Sequence, residues 1–156
     1  MVQIRSYRAT DADELHQIFR AAVLDGAAAH YSDAQRRAWA GAAGPPGPEW
    51  EARLNAHVTW VAVDATGPLG FMTMGRDGHL DLAFVRPEAA GTGVADALHD
   101  RILRSASDLG LDRLTTDASL RAQRFFTRMG WRLLRRQVVQ LHGECLENAA
   151  MEKRLA

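Results

Sequence analysis

The sequence predicts one mixed α/β domain over residues 1–156, built on a mostly antiparallel sheet with about four flanking helices. Three observations lead to this fold class. A chain of 156 residues fills one domain and is too short for two well-packed ones. Residues 59–85 contain three successive strand patterns joined by tight turns, which indicates an antiparallel meander. After residue 93 helical and strand patterns alternate, which is typical of a mixed sheet.

The first third of the chain reads as a strand followed by two helices. Residues 2–8 alternate apolar and polar side chains, as a half-buried strand does. A threonine followed three residues later by an aspartate offers a cap for a helix over residues 10–22, and a capping box of serine and glutamine predicts a helix over residues 32–40. Glycines and prolines between residues 41 and 48 then predict a loop within the domain.

The meander begins with strands over residues 59–64 and 69–74, and an Asp-Gly turn leads into a third strand over residues 79–85. An apolar stripe with helical spacing predicts a helix over residues 93–109. The remaining predicted elements are a strand over residues 111–117, a helix over residues 120–129, and a closing antiparallel pair over residues 131–141 and 147–153.

Composition narrows the function classes. Nineteen basic and nineteen acidic residues give a formal net charge of zero, which argues against a nucleic acid partner. The single cysteine, Cys145, excludes an internal disulfide and suits a reducing compartment. No stretch approaches the roughly 20 apolar residues of a membrane span, so we expect a cytoplasmic protein with no membrane partner. The six histidines are scattered through the chain, and we expect no metal site.

The most informative segment is the end of the third meander strand and the turn that follows it, residues 81–95. Glycines at positions 91 and 93 permit a tight turn that aims consecutive N–H groups at an anion. The helix that follows opens with unpaired donors and about half a positive charge. This pattern predicts a pocket for a phosphate-bearing cofactor, and a structural helix start is the alternative. A dinucleotide motif fits less well, because position 96 is Asp rather than Gly or Ala.

Two segments resemble signature motifs of the GCN5-related N-acetyltransferases, the GNAT superfamily. The strand, the Val-x-Pro sequence and the glycine turn are similar to the first motif. The second motif is echoed by Ser119, Ala122, Phe125, Phe126, Gly130 and Trp131. The tail, residues 143–155, resembles that of the YafP-like bacterial branch. The resemblance covers essentially the whole chain and implies a GNAT-like acyl-CoA N-acyltransferase fold. It also implies direct transfer of an acetyl group from acetyl-CoA to the amine of a small molecule or peptide.

The resemblance also implies which residues contact the acetyl-CoA cosubstrate. A backbone N–H at Ala83 would polarise the thioester carbonyl, and Val85 would pair with the pantetheine arm as a strand does. The glycine turn would hold the pyrophosphate. The expected cofactor-binding residues are Ala83, Phe84, Val85, Gly91, Thr92, Gly93, Val94, Ala95, Ser119 and Phe126.

Two positions depart from the family pattern. Phe126 stands where the family commonly carries a tyrosine that protonates the departing thiolate, and Ser119, Tyr31 or water are the open substitutes. Ala90 stands where the family often has Gln or Arg at the start of the turn. These departures support an alternative function as a non-catalytic acyl-CoA-binding or regulatory module.

Acetyl transfer to an amine requires a proton acceptor, because an alkylamine with a pKa near about 10.4 is protonated at neutral pH. His79 and Asp81 are two residues apart on a predicted strand, so their side chains share a face. Histidine titrates near neutral pH, and a neighbouring carboxylate can orient it. The resemblance assigns the catalytic positions of the family to these two residues. The structural alternative is that they cap a hairpin and satisfy a strand-edge donor.

The acceptor pocket of this fold is usually formed by the first two helices and their loop. The residues there that suit a pocket wall are His30, Tyr31 and Trp39, although a core role for Trp39 stays open. The acceptor amine and the oligomeric state are not fixed by the sequence, and the resemblance allows a homodimer.

Overall fold

A computed structural model describes residues 1–155 of the chain. Its strands are β1 (Gln3–Ser6), β2 (Val58–Asp64), β3 (Gly67–Met74), β4 (His79–Val85), β5 (Arg113–Ser119), β6 (Arg132–Leu141) and β7 (Glu144–Arg154). Its α-helices are α1 (Ala12–Ala21), α2 (Asp33–Ala42), α3 (Pro48–Asn55), α4 (Val94–Asp108) and α5 (Gln123–Arg128). Within residues 1–155, every helix is too short or too polar to cross a membrane.

The seven strands form one sheet in the order β1-β2-β3-β4-β5-β7-β6. All neighbouring strands are antiparallel except β4 and β5, which are parallel. The predicted α/β class with a mixed, mostly antiparallel sheet is therefore confirmed.

Each face of the sheet packs against different helices, because successive side chains of a strand point to opposite faces. On one face, Leu98 and Ile102 of α4 are buried against Met72. On the other face, α1 and α3 pack against the neighbouring residue Phe71, which contacts the indole of Trp50. We refer to these as the α4 face and the α1 face.

The regular alternation of β4 breaks at Asp81. A register shift between Thr73 and Met74 leaves Asp81 without a paired residue on β3. Leu80 packs on the α4 face and Leu82 on the α1 face, although residues two apart share a face in a regular strand. This β-bulge directs the side chains of Asp81 and Leu82 to the α1 face.

The strands β4 and β5 separate soon after they meet. Their pairing consists of His79 with Thr115 and Leu80 with Thr116. From there β4 continues beside β3, while β5 continues beside β7 through Ser119. The sheet consequently opens into a gap between the last residues of β4 and of β5.

The sequence predicts a loop as far as residue 48 and no helix before the meander, but the structure has helix α3 there. Two start signals mark this helix. Pro48 occupies its first position, where the missing N–H costs nothing, and Gly47 precedes it in an open conformation. The glycines and prolines of residues 41–48 predict a loop so strongly that they obscure the short helix that follows.

The predicted cap of the first helix is wrong, and that of the second is confirmed. The carboxylate of Asp11, rather than the threonine and aspartate of the predicted pair, accepts the Arg8 N–H at 2.8 Å, and a 3₁₀ turn leads into α1. At α2, the Ser32 hydroxyl accepts the Gln35 N–H at 3.1 Å, and the Gln35 side chain accepts the Ser32 N–H at 2.8 Å.

Candidate active site

The gap between β4 and β5 connects two cavities. The larger has a volume of about 1010 Å³ and extends from β4 to the glycine turn, α4 and α5. The smaller has a volume of about 290 Å³ and lies on the α1 face. Trp39, Phe84 and Ser119 line both cavities, so the two spaces meet at the gap. We call them the large cavity and the small cavity.

Most of the residues expected to bind the cofactor line the large cavity. They are Ala83, Phe84, Val85, Gly91, Gly93, Ala95, Ser119 and Phe126. Thr92 and Val94 do not contribute to its wall. The Thr92 hydroxyl donates to the carbonyl of Ala89 at 2.5 Å, and the Val94 side chain is buried in the core on the α4 face.

The backbone of β4 directs alternate amides into the gap. The Arg86 N–H donates to a carbonyl of β3 at 2.8 Å, and the Leu82 N–H donates to a threonine hydroxyl of β3 at 3.0 Å. Because neighbouring amides of a strand point in opposite directions, the N–H groups of Ala83 and Val85 point away from β3 and toward the gap. Both residues line the large cavity.

The glycine turn forms the far end of the large cavity. Gly91 and Gly93 have φ values of 76° and 89°, which L side chains rarely adopt, and Gly93 is the N-cap of α4. No side chain caps this helix. The first amides of a helix have no intrahelical partner, so this end of α4 offers donors and a positive dipole to an anion.

An ion pair crosses the large cavity beside this helix end. Arg128 of α5 donates two hydrogen bonds to Asp96 of α4, at 2.9 and 3.1 Å. These hydrogen bonds, together with the charge of Arg128, hold the pKa of Asp96 below its usual value. Arg121 and Arg124 also line the cavity. The site therefore contains one carboxylate among several guanidinium groups.

The small cavity contains Asp81, which lies opposite α3. Arg53 donates to the two carboxylate oxygens of Asp81 at 2.7 and 2.8 Å, and Nε2 of His57 lies 3.9 Å from one of them. Burial disfavours the ionised carboxylate, but the hydrogen bonds and charge of Arg53 outweigh it and lower the pKa of Asp81. Asp81 is thus a carboxylate held in its charged form.

His79 has different partners. Its Nδ1 lies 2.8 Å from the Thr115 hydroxyl, and its Nε2 lies 3.7 Å from a carboxylate oxygen of Asp117. The carboxylate 3.7 Å from His79 Nε2 is thus that of Asp117, whereas the hydrogen bonds of Asp81 come from Arg53. His79 is still near enough to Asp81 to contribute to the lowering of its pKa.

Asp117 and Asn148 line the small cavity and were missed by the sequence analysis. The available signal was a polar alternation along one face of β5, which carries Thr115, Asp117 and Ser119. Asn148 lies on β7 directly opposite Ser119. Nothing local in the sequence of β7 connects Asn148 with β5.

The residues expected to bind the acceptor divide between the two cavities. Trp39 lines both, and Tyr31 lines only the small one. His30 lines the large cavity and is absent from the wall of the small one. The Tyr31 hydroxyl donates to the carbonyl of Glu147 at 2.5 Å and accepts the Leu120 N–H at 2.9 Å. Burial raises the pKa of Tyr31.

Comparison with known proteins identifies the family. Residues 27–154 match the family described as acetyltransferase (GNAT) domain. The chain is 35% identical over 150 residues to the uncharacterized N-acetyltransferase YafP of Escherichia coli K12, covering 96% of this chain and 94% of that protein. The chain belongs to the GNAT acetyltransferase family.

Solved structures of GNAT proteins share the fold. A GCN5-related N-acetyltransferase from Rhodopseudomonas palustris is 35% identical, with a TM-score of 0.92 over 98% of this chain and 95% of that one. Structures that share the fold at lower identity include the PaiA N-acetyltransferase of Thermoplasma acidophilum in complex with coenzyme A, at 15% identity, a TM-score of 0.76 and 99% coverage of both chains. The yncA protein of Salmonella typhimurium, solved with acetyl-CoA, is 20% identical with a TM-score of 0.71, over 100% of this chain and 95% of that one.

Position 126, where the resemblance leads one to expect a tyrosine, is buried and apolar in this chain. Phe126 is 2% exposed and packs against Phe125 and Trp131. Of the side chains that were left open as its substitute, Tyr31 donates its proton to a backbone carbonyl, whereas Ser119 lies where the cavities meet. Within residues 1–155, no three His, Cys, Asp or Glu side chains are grouped to hold a metal ion.

Proposed function

We propose that this protein transfers an acetyl group from acetyl-CoA directly to the amine of a small molecule or peptide in the cytoplasm. The observation that carries the proposal is the meeting of two cavities at the gap beside β4. A direct transfer needs a donor site and an acceptor site with a common boundary, and Phe84, Trp39 and Ser119 form such a boundary.

The large cavity suits acetyl-CoA by its chemistry. The amides of Ala83 and Val85 point toward the gap, and the uncapped start of α4 suits a pyrophosphate. Acetyl-CoA supplies the acyl group as a thioester. An amide aimed at the carbonyl oxygen stabilises the negative charge that develops there, and one such donor contributes about 3 kcal/mol to lowering a barrier. Two proteins of the same fold, one solved with acetyl-CoA and one with coenzyme A, support this assignment.

His79 is the proton acceptor in this proposal. An imidazole titrates close to neutral pH, whereas Asp81 is held ionised by Arg53 and is a weak base. His79 lies behind Asp117, at 3.7 Å, and its side chain is 40% exposed. A proton leaving an amine in the small cavity therefore passes by way of Asp117 or solvent to His79 and on to bulk water.

Asp81 has an electrostatic role. Its carboxylate forms an ion pair with Arg53, and both residues line the small cavity. For the leaving thiolate, Ser119 is the hydroxyl at the boundary. A thiolate whose thiol has a pKa of about 8.5 can leave without a general acid, but it does so more slowly. We therefore expect a lower turnover than in a relative with a tyrosine at position 126.

Calorimetric titration tests the cofactor first. Acetyl-CoA and CoA should bind with micromolar affinity, and NAD, the control, should not. Absence of CoA binding would refute the proposal.

A screen of amines and peptides, followed by the release of free thiol, then tests transfer. His79→Ala should lower turnover and remove the fall in turnover toward acidic pH that protonation of the base causes, while leaving the affinity for acetyl-CoA unchanged. An unaltered pH profile would exclude His79 as the proton acceptor. Binding without transfer to any amine would favour the alternative of a non-catalytic acyl-CoA-binding module, which the apolar Phe126 supports.

A further inference from the structure

We infer that the small cavity selects small acceptors that carry an ammonium group on an apolar body, and that Asp117 and Asn148 form its ammonium subsite. The inference rests on the proposed function, because it identifies the substrate class of the same cavity. Three features of the cavity support it: an unpartnered oxygen, a surplus of negative charge, and the apolar character of the remaining walls.

The unpartnered oxygen belongs to Asn148. Its Oδ1 is buried and accepts no hydrogen bond from residues 1–155, although Asn148 lines the small cavity. A buried acceptor without a donor destabilises a folded protein. Because the oxygen is closed off from solvent, it reaches a ligand in the cavity only after the Asn148 side chain rotates. An ammonium group there offers three N–H donors, one of which would then satisfy it.

Asp117 lies next to Asn148 across two neighbouring strands. Asn148 is paired with Ser119, and Asp117 is two residues earlier on the same face of β5. Cross-strand diagonal neighbours of this kind have their Cα atoms about 7–8 Å apart, so one small ligand contacts both side chains. Gln137 donates to Oδ1 of Asp117 at 2.8 Å, and the other oxygen faces His79.

The charges that border the cavity do not balance. Asp81 is neutralised by two hydrogen bonds from Arg53. Asp117 receives its hydrogen bond from an uncharged amide and faces histidine rather than a permanent cation. The charged side chains that line the cavity are those of Arg53, Asp81 and Asp117, so their permanent charges leave one surplus negative charge. An ammonium group is attracted there and a carboxylate is repelled.

The other walls are apolar and enclose little space. Phe19, Tyr31, Trp39 and Phe84 contribute aromatic rings. Trp39 lies 5.6 Å from Tyr31 and 6.0 Å from Phe84, measured between ring centroids. A volume of about 290 Å³ suits a body no larger than one or two rings or a short alkyl chain.

Three ligands with the same body test the subsite. Phenethylamine carries an ammonium group, 2-phenylethanol replaces it with a hydroxyl, and phenylalanine adds a carboxylate. Calorimetric titrations with the protein alone and with its CoA complex should show phenethylamine binding at least 10-fold more tightly than either analogue. Equal binding of the alcohol, tighter binding of phenylalanine, or no heat from any of the three would overturn the inference.

Variants separate the two residues from general damage. Asp117→Asn should abolish the preference for phenethylamine over 2-phenylethanol, whereas Asp112→Asn, an exposed carboxylate just before β5 and outside both cavities, should preserve it. Asn148→Leu should weaken phenethylamine binding several-fold without lowering the melting temperature, because it removes an unsatisfied oxygen. A retained preference in Asp117→Asn, or unchanged amine affinity in Asn148→Leu, would refute the assigned roles.

The same measurements distinguish the inference from the proposed function. The amine titrations with the protein alone do not depend on acetyl-CoA. A protein that binds acetyl-CoA and acetylates amines but does not discriminate among the three ligands would disprove the inference alone. A protein that prefers phenethylamine but binds no CoA would disprove the proposed function alone.

Discussion

The stability of this protein should fall between neutral pH and pH 5 because of one buried histidine. His99 lies on α4 and is 3% exposed. Its Nε2 accepts a hydrogen bond from the indole N–H of Trp131 at 2.9 Å. An indole nitrogen can only donate, so protonation of Nε2 would break this bond. Burial, aided by the charge of Lys153 and opposed by nearby carboxylates, lowers the pKa of His99 from 6.5 to about 4.

The magnitude follows from the two pKa values. The unfolded chain binds the proton near pH 6.5, whereas the folded protein binds it only near pH 4. Between these values the unfolded state holds more protons, so the free energy of unfolding falls as the pH decreases. One pKa unit corresponds to about 1.4 kcal/mol, and His99 should therefore remove about 2 kcal/mol between pH 7.5 and pH 5. Carboxylates with lowered pKa values lose their contributions at more acidic pH.

Urea denaturation followed by tryptophan fluorescence measures this change. His99→Gln keeps an acceptor for Trp131 but does not titrate, so its free energy of unfolding should lose most of the pH dependence. His30→Gln removes an exposed histidine and should retain the dependence of the wild type. A wild-type change below about 0.5 kcal/mol over this range, or an equal change in His99→Gln, would refute the reasoning.

Three further predictions use matched positions within the chain. Gly93→Glu should abolish CoA binding in calorimetry, because it brings a negative charge to the anion site. The control is Gly110→Glu, which lies just past the other end of the same helix and also at positive φ, and which should leave CoA binding intact. Equal losses of CoA affinity in the two variants would indicate backbone strain instead of charge. Asp96→Asn should tighten CoA binding several-fold at low salt, because it removes a negative charge that repels the CoA phosphates and frees Arg128, the partner of Asp96. Weaker CoA binding would show instead that the ion pair holds the glycine turn in place. Tyr31→Phe should lower the free energy of unfolding by about 1–3 kcal/mol, because two backbone groups lose their hydrogen-bond partner. Tyr7→Phe removes a buried hydroxyl that has no partner within residues 1–155, so it should leave the free energy of unfolding unchanged. Equal shifts of the two denaturation curves would contradict this contrast.

The fold class could be predicted because its signals are local. Short turns fix the meander of β2, β3 and β4, and an apolar stripe fixes α4. The sheet order was not predictable in the same way. That β7 rather than β6 lies beside β5 depends on contacts between distant segments, and both strands of this hairpin have suitable side chains. The bulge at Asp81 is equally hidden, because residues 79–85 read as a regular strand.

The candidate site was predictable only where it follows the chain. The last residues of β4 and the glycine turn are adjacent in sequence, and the pattern predicted a pocket there. The partners of the predicted catalytic pair come from elsewhere. Arg53 reaches Asp81 from α3, a helix that the sequence does not predict, and Asp117 reaches His79 through the parallel pairing of β4 and β5. Such contacts depend on tertiary packing and have no local signature.

Trp39, Phe84 and Ser119 each face both cavities, and this shared wall has a thermodynamic consequence. A ligand that shifts one of these side chains changes the free energy with which the other cavity binds its own ligand. The coupling must have the same size in both directions, because linkage between two binding equilibria is reciprocal. If acetyl-CoA raises the affinity for an amine, the amine raises the affinity for acetyl-CoA by the same factor. The wall that the two cavities share would then be sufficient to make the two substrates bind synergistically, and no separate regulatory site would be needed.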